Sequence, residues 1–250
     1  MRLILFIAVA LVSGSAIASE PIPLPPPRPL PAAIAPADVA KIPVPSACQT
    51  RLVEIAHFEP LPPIGGPGEC GAQDVVKLQA VLLADKTRVA VNPPATLNCA
   101  MAEAIAHWAR DAVVPALAKF GALRQIENYD SYDCRGRNRV AGAKISEHGK
   151  GNALDVRAFK LASGRVIRPT DVNVDKPLRN MLKTMSCARF TTVLGPGSDG
   201  YHESHIHLDL ARRRNGYRLC HWEIHEPIDT VASVPAAVPL PRPRPVVLRR

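Results

Sequence analysis

Two segments of the chain concentrate the residue types that hold metal ions and move protons. The first runs Ser146-Glu147-His148-Gly149-Lys150-Gly151-Asn152-Ala153-Leu154-Asp155-Val156, and the second Tyr201-His202-Glu203-Ser204-His205-Ile206-His207-Leu208-Asp209-Leu210. If residues 201–210 form a strand, alternate side chains share a face at about 6–7 Å spacing. Glu203, His205 and His207 then stand on one face, while His202, Ser204, Ile206 and Leu208 take the other, with Ile206 and Leu208 turned to the core. In the first segment Gly149 and Gly151 permit a tight turn, and Ala153 leaves space beside Asp155. An imidazole, a carboxylate oxygen and a second imidazole, with a fourth position left to water, form a plan for catalytic zinc. Such an ion lowers the pKa of its water to about 7 and polarises a carbonyl. A neighbouring carboxylate or imidazole is still needed to carry the proton to a leaving amine. An H-x-H pattern alone is common on surfaces. Its weight here comes from the first segment.

That segment matches S-x-H-x-x-G-x-A-x-D at every fixed position, through Ser146, His148, Gly151, Ala153 and Asp155. It resembles the zinc site of the D-alanyl-D-alanine carboxypeptidase and dipeptidase family, which belongs to a wider group with lysostaphin-type endopeptidases and the hedgehog signalling domain. The resemblance implies a zinc ion held by His148, Asp155 and His207. It also implies a small antiparallel sheet with flanking helices. A closer resemblance, carried by SYDCRGRN, SEHGKGNALDVRAF and HESHIHLDLARR behind a Pro-rich front end, is to the bacterial extensin-like C-terminal domain family. It extends from about Pro45 to Cys220 and implies the same fold and an activity on cell-wall peptides.

In the carboxypeptidase and dipeptidase relatives a glutamate three residues before the last histidine ligand is the general base. Here Ser204 holds that position and Glu203 lies one residue earlier. On a strand Glu203 would still share the face of His207, so Glu203 is expected as the base. His205 is the other candidate, as acid/base or as a cation at the oxyanion. Arg135 corresponds in placement to an arginine that grips substrate, a task that suits a bidentate guanidinium; Arg137 is the alternative. Ser146 either bonds near the substrate or shapes the turn. Asp209 either supports a ligand or makes a surface ion pair. His57, His107, His221 and His225 lack partner ligands at suitable spacing and read as structural or surface residues.

The elements that must position these groups are legible in places. Asn98 to Phe120 reads as a helix, with Met101, Ile105, Trp108, Ala112 and Val113 near helical spacing and Pro115 ending or kinking it. Lys176 to Ser186 reads as a second helix. Arg124 to Tyr132, Thr191 to Leu194 and Gly200 to Leu210 read as extended, whereas Asp74 to Leu83 fits a short helix or a strand equally. Helices and short strands mix without regular βαβ alternation, so the expected class is α+β.

The chain has 250 residues, and its net charge of +9 resembles a nucleic-acid signal until it is mapped. Arg2, Arg242, Arg244, Arg249 and Arg250 lie at the two ends, and without them the remainder carries +4. Aromatics at 4% are too few for a stacking platform, so no nucleic-acid partner is expected. No internal apolar run approaches the ~18 residues a membrane span needs. Neither G-x-S-x-G nor G-x-x-x-x-G-K occurs, which removes the serine-hydrolase elbow and the phosphate-cradling loop.

Residues 1–18 carry one arginine, an apolar core and Ala16-Ile17-Ala18, the pattern of a signal peptide cut before Ser19. The expected location is the bacterial periplasm or outside the cell, with no stable membrane insertion after cleavage. Cys48, Cys70, Cys99, Cys134, Cys187 and Cys220 all follow the cut and contain no C-x-x-C, so three disulfides are expected, with 15 possible pairings. Residues 19–45 are a Pro-rich linker and 230–250 a Pro/Arg-rich tail that could meet anionic envelope surfaces. The domain lies between them, at 46–229. The functional expectation is a zinc peptidase acting on peptidoglycan peptides. Its rivals are a non-catalytic wall-binding module that keeps zinc, and a spacer whose arms are the working part.

Overall fold

The computed structural model describes residues 44–226. The leader, nearly all of the Pro-rich linker and the Pro/Arg-rich tail lie outside the described residues. Helix α1 (Ala47–Leu52) is capped by Ser46, whose Oγ accepts from the Gln49 N–H and donates to Asp74. Strand β1 (Ala56–Leu61) follows, then a separate small hairpin of β2 (Ile64–Gly65) and β3 (Gly71–Ala72). The ambiguous segment from Asp74 is strand β4 (Val75–Leu82), with Val75, Val76, Leu78 and Val81 buried. It pairs antiparallel with β1 and with β5 (Arg88–Asn98).

The expected long helix is present and changes pitch along its length. Asn98 caps α2 (Cys99–Trp108) by accepting from the Met101 N–H. A π-helical turn (Ala109–Val113) leads into α3 (Val114–Leu117). Pro115 therefore does not end the helix. The register shift just before it, with the Val114 N–H on the Ala109 carbonyl, absorbs a residue that cannot donate. This crossover returns the chain to β6 (Leu123–Asp130), parallel to β5, as a connection of this length allows. Strands β7 (Ala153–Leu161), β8 (Val166–Ile167), β9 (Thr192–Leu194), β10 (Ile206–Asp209) and β11 (Leu219–His221) complete the main sheet, with α4 (Lys176–Arg189) between β8 and β9.

The sheet corrects the expected small antiparallel one. It has nine strands in the order β1-β4-β5-β6-β7-β10-β9-β11, with β8 beside β7, and it is mixed because β5/β6 and β9/β11 are parallel. The molecule is a mixed α/β domain with few helices. Helices α2–α4 close one face over a core in which Trp108 meets Phe159 and Phe190 at centroid distances of 6.0 and 5.9 Å. The buried indole N–H of Trp108 is satisfied by Ser186 Oγ at 3.1 Å, so the ring adds apolar area without stranding a donor. The six cysteines pair as Cys48–Cys99, Cys70–Cys134 and Cys187–Cys220.

Of three register shifts between β6 and β7, the two nearest Asp155 set the faces around it. Glu127 faces Ala158 and Asn128 faces Val156, so Arg157 is an extra residue on β7. Asp130 then faces Asp155, which makes Tyr129 an extra residue on β6. The first bulge lets Leu154 and Val156 join Phe159 and Leu161 in the core despite the odd spacing, and it leaves Asp155 on the open face.

Candidate metal centre

Asp155 and His207 face each other across β7 and β10, on the side away from the helices. Alternation fixes this, since Ile206 and Leu208 occupy the core and so His207 and Asp209 must point the other way. His148 arrives from a 3-10 turn at Glu147–Lys150, capped by Ser146, whose Oγ accepts from the His148 N–H at 3.4 Å. The turn ends at Gly151 in the left-handed region (φ 60°), where a side chain would be strained. At Gly149 an added Cβ would lie 2.8 Å from Ile145 and 3.1 Å from the sulfur of Cys70.

These elements bring three ligand atoms together. His148 Nε2 lies 3.1 Å from His207 Nδ1 and 3.2 Å from Asp155 Oδ1, and His207 Nδ1 lies 2.9 Å from that same oxygen. Bonds of about 2.0–2.1 Å to a tetrahedral zinc separate ligands by about 3.3 Å, so the triangle is close to the size a metal requires. The outward nitrogens are committed elsewhere. His148 Nδ1–H donates to the Ser131 carbonyl at 2.6 Å, and His207 Nε2–H donates to Asp209 at 3.0 Å. Each bond fixes a tautomer and turns a lone pair inward, as outer partners of metal-bound histidines do. Three such atoms converging in a buried site are close enough together to hold one cation. The donor set fits zinc.

Without a metal ion, protons take its place between these atoms. Burial opposes charge on Asp155, but the imidazoles of His148, His205 and His207 gathered around it outweigh that cost and hold the carboxyl well below the ordinary range. Burial likewise disfavours the His207 cation, yet Asp155 and Asp209 on either side push its pKa up to about 10. Burial opposes charge on Asp209, but the hydrogen bond and charge of His207, with hydrogen bonds to Thr192 and the Ala211 N–H, together outweigh it and lower its pKa. Asp209 thus supports His207 and does not make a surface ion pair.

The other expected residues divide. His205 is buried, with Nε2 3.3 Å from Asp155 Oδ2 and its ring 4.7 Å from Tyr129. Arg135 forms a wall of the site, held by Asp130 and Asp133 at 3.0 Å each, which leaves three of its five N–H donors uncommitted to them. Arg137 is exposed at the rim. Ser146 lines the site and also shapes the turn. Glu203 stands elsewhere. The strand begins only at Ile206, so Glu203 lies in the preceding loop, exposed, accepting from the Gly197 N–H at 3.0 Å. The expectation that it shares a strand face with His207 is overturned, because the chain from Tyr201 to His205 is not extended.

The same loop brings in a residue that alternation had sent to the opposite face. Asp199 accepts from the Tyr201 N–H at 3.0 Å and from His202 Nδ1 at 2.7 Å, an Asx-type turn that carries His202 inward. Its ring centroid lies 5.2 Å from that of His205 and 5.5 Å from that of His207. Burial lowers the His202 pKa against the opposing pull of Asp199. The signal for this turn was the run Gly195-Pro196-Gly197-Ser198-Asp199-Gly200, which opposes an early strand.

Together these residues line a cleft of about 610 Å³ above the triangle. His57, His107, His221 and His225 lie outside it, and none of them is fully buried. A second group, Cys48, Asp74 and Cys99, has metal-like proximity but no metal chemistry, since its two sulfurs are bonded to each other. The family model described as extensin-like protein C-terminus matches residues 46–221. No curated protein and no solved structure matches.

Proposed function

The chain belongs to the extensin-like C-terminal family, and from that premise we propose that its domain is an exported zinc metallopeptidase hydrolysing amide bonds in peptidoglycan peptides. The observation that carries the reading is the buried triangle of His148 Nε2, Asp155 Oδ1 and His207 Nδ1, with both outward ring nitrogens already committed. The S-x-H-x-x-G-x-A-x-D segment and its likeness to the D-alanyl-D-alanine zinc peptidases supply the reaction class. His148, Asp155 and His207 would hold the zinc, which would supply a Lewis acid and lower the pKa of water toward neutrality.

The chain's own residues do the rest. Arg135, locked by Asp130 and Asp133, offers its remaining N–H groups to a substrate carbonyl or carboxylate. Ser146 holds the His148 turn at the cleft wall. His205, anchored on Asp155 and packed against the tilted ring of Tyr129, carries a proton toward the leaving amine. His202, oriented by Asp199, is a second proton carrier on the same side of the cleft. Glu203 has no part in this assignment, since its carboxylate is engaged with Gly197 away from the cleft. The disulfides suit an oxidising compartment, here the periplasm or the exterior. The Pro/Arg-rich tail is assigned to anionic envelope surfaces.

A specific feature favours a second reading. Ser204 occupies the position where the peptidase relatives carry their glutamate base, so the domain could hold zinc as a non-catalytic wall-binding module. Zinc content of the purified oxidised chain, measured for wild type and His207→Ala alongside muropeptide hydrolysis, separates the two. The peptidase requires about one zinc per chain, with cleavage lost on chelation and in the variant. Zinc without cleavage selects the binding module. Wild-type protein without zinc rejects the ligand assignment.

A further inference from the structure

The residues that orient the centre sit on a stretch of chain with little regular structure. Residues 131–135 form neither helix nor strand, yet Ser131 fixes the His148 tautomer and Arg135 forms a cleft wall. Few backbone bonds hold this stretch. The Tyr132 N–H donates to the Thr96 carbonyl at 3.1 Å, the Asp133 N–H to His148 at 3.4 Å, and the Arg135 carbonyl accepts from Ser146 at 2.9 Å. Its covalent tie is Cys134, bonded to Cys70. Cys70 belongs to the β2/β3 hairpin, which is separate from the main sheet and turns through the glycine-rich Gly65-Gly66-Pro67-Gly68. Its sulfur packs against the open side of Gly149, next to His148. A hairpin of two-residue strands cannot order itself. The bridge therefore pins hairpin, 131–135 stretch and His148 turn to one another.

The other two bridges join regular elements to one another. Cys48–Cys99 ties α1 to the start of α2, and Cys187–Cys220 ties α4 to β11. We propose that the Cys70–Cys134 disulfide is a positioning device for the metal centre, so that tight metal binding requires oxidation of this bridge and not of Cys187–Cys220. The proposal rests on the zinc reading above. It makes competence of the site conditional on a disulfide-forming compartment, so a chain that retains reduced cysteines has a loosened centre.

The test compares the full oxidised chain with Cys70→Ala/Cys134→Ala and with Cys187→Ala/Cys220→Ala. Melting temperature, zinc affinity by chelator competition and, in metal-free samples, the His148 tautomer by long-range 15N NMR are measured in each. Wild type and the Cys187/Cys220 variant keep the His148 proton on Nδ1. The Cys70/Cys134 variant populates both tautomers and binds zinc about 10–100-fold more weakly, the scale of losing an outer partner. An unchanged tautomer with unchanged affinity, or equal losses in both variants, overturns the proposal. Wild-type protein that binds no zinc sinks the zinc reading, while the tautomer comparison still decides whether the bridge positions His148. If the Cys70/Cys134 variant does not fold, graded reduction of wild type with a phosphine takes its place, with bridges mapped by alkylation. Zinc release must then accompany opening of Cys70–Cys134 and precede loss of the near-ultraviolet signal of Trp108 and Trp222. Release that waits for unfolding or for another bridge overturns it.

Discussion

Strands β7 and β10 present two faces that are buried to nearly the same degree and built from opposite chemistry. Toward the helices, Leu154, Val156, Ile206 and Leu208 are fully covered. Toward the cleft, Asp155, His207 and Asp209 retain only 3%, 6% and 4% exposure. The apolar face is satisfied by many weak, non-directional contacts, so its losses are graded by volume. The polar face is satisfied by a few directional ones, and removing a partner leaves a buried charge or lone pair uncompensated. Equal burial therefore means different things on the two sides of one strand. One face stabilises the fold. The other uses the fold to hold buried polar groups in a fixed arrangement.

Substitutions can break that division in order of expected effect. His205→Gln keeps the ligand triangle and removes a proton carrier, so muropeptide hydrolysis should fall about 10²–10⁴-fold with zinc content unchanged. Loss of zinc in that variant would show that the ring serves the metal and not the proton. Leu154→Ala, one residue from Asp155 on the opposite face, should cost about 2–5 kcal/mol in denaturant unfolding. Its zinc stoichiometry should remain that of wild type, and a fall in both would erase the distinction between faces. Asp209→Asn keeps shape but removes the charge behind His207 Nε2, so zinc affinity should drop about 10–100-fold. Unaltered affinity would reduce Asp209 to a structural partner of Thr191 and the Ala211 N–H.

What could be read from the residues divides along a similar line. The grouping of His148, Asp155 and His207 was legible through the resemblance carried by the S-x-H-x-x-G-x-A-x-D segment and the later H-x-H, and the fold brings the three together. Asp209 was half legible, since alternation gave its face while only the strand's burial decided between supporting a ligand and meeting solvent. The large mixed sheet was not legible. Half of it comes from residues 56–98, where Pro93 and Pro94 argue against a strand interior. Strand β5 resolves this by pairing residues 88–90 and 95–98 with β4 and leaving the prolines out of that ladder. Tyr129 was invisible as a residue of the cleft, because a pair of bulges sets its face, with the Arg157 guanidinium 4.1 Å from its ring centroid. His202 was misassigned for one reason. Alternation was extended through a turn that Asp199 bends.

That turn makes Glu203 the sharpest probe of the comparison, with the smallest expected effect. Its carboxylate accepts from Gly197 and is exposed, so it lies on neither buried face. Glu203→Gln should leave zinc affinity intact and alter hydrolysis by no more than about twofold, the ~0.5 kcal/mol scale of exposed substitutions. The amide oxygen of glutamine can still accept from Gly197, so the loop itself is not perturbed. A loss comparable to that of His205→Gln would mean that residues 201–205 rearrange when substrate enters, carrying the carboxylate to the cleft. The division between a polar face set by strand register and an outer loop would then fail at this loop, and the base would be the residue that strict alternation first proposed.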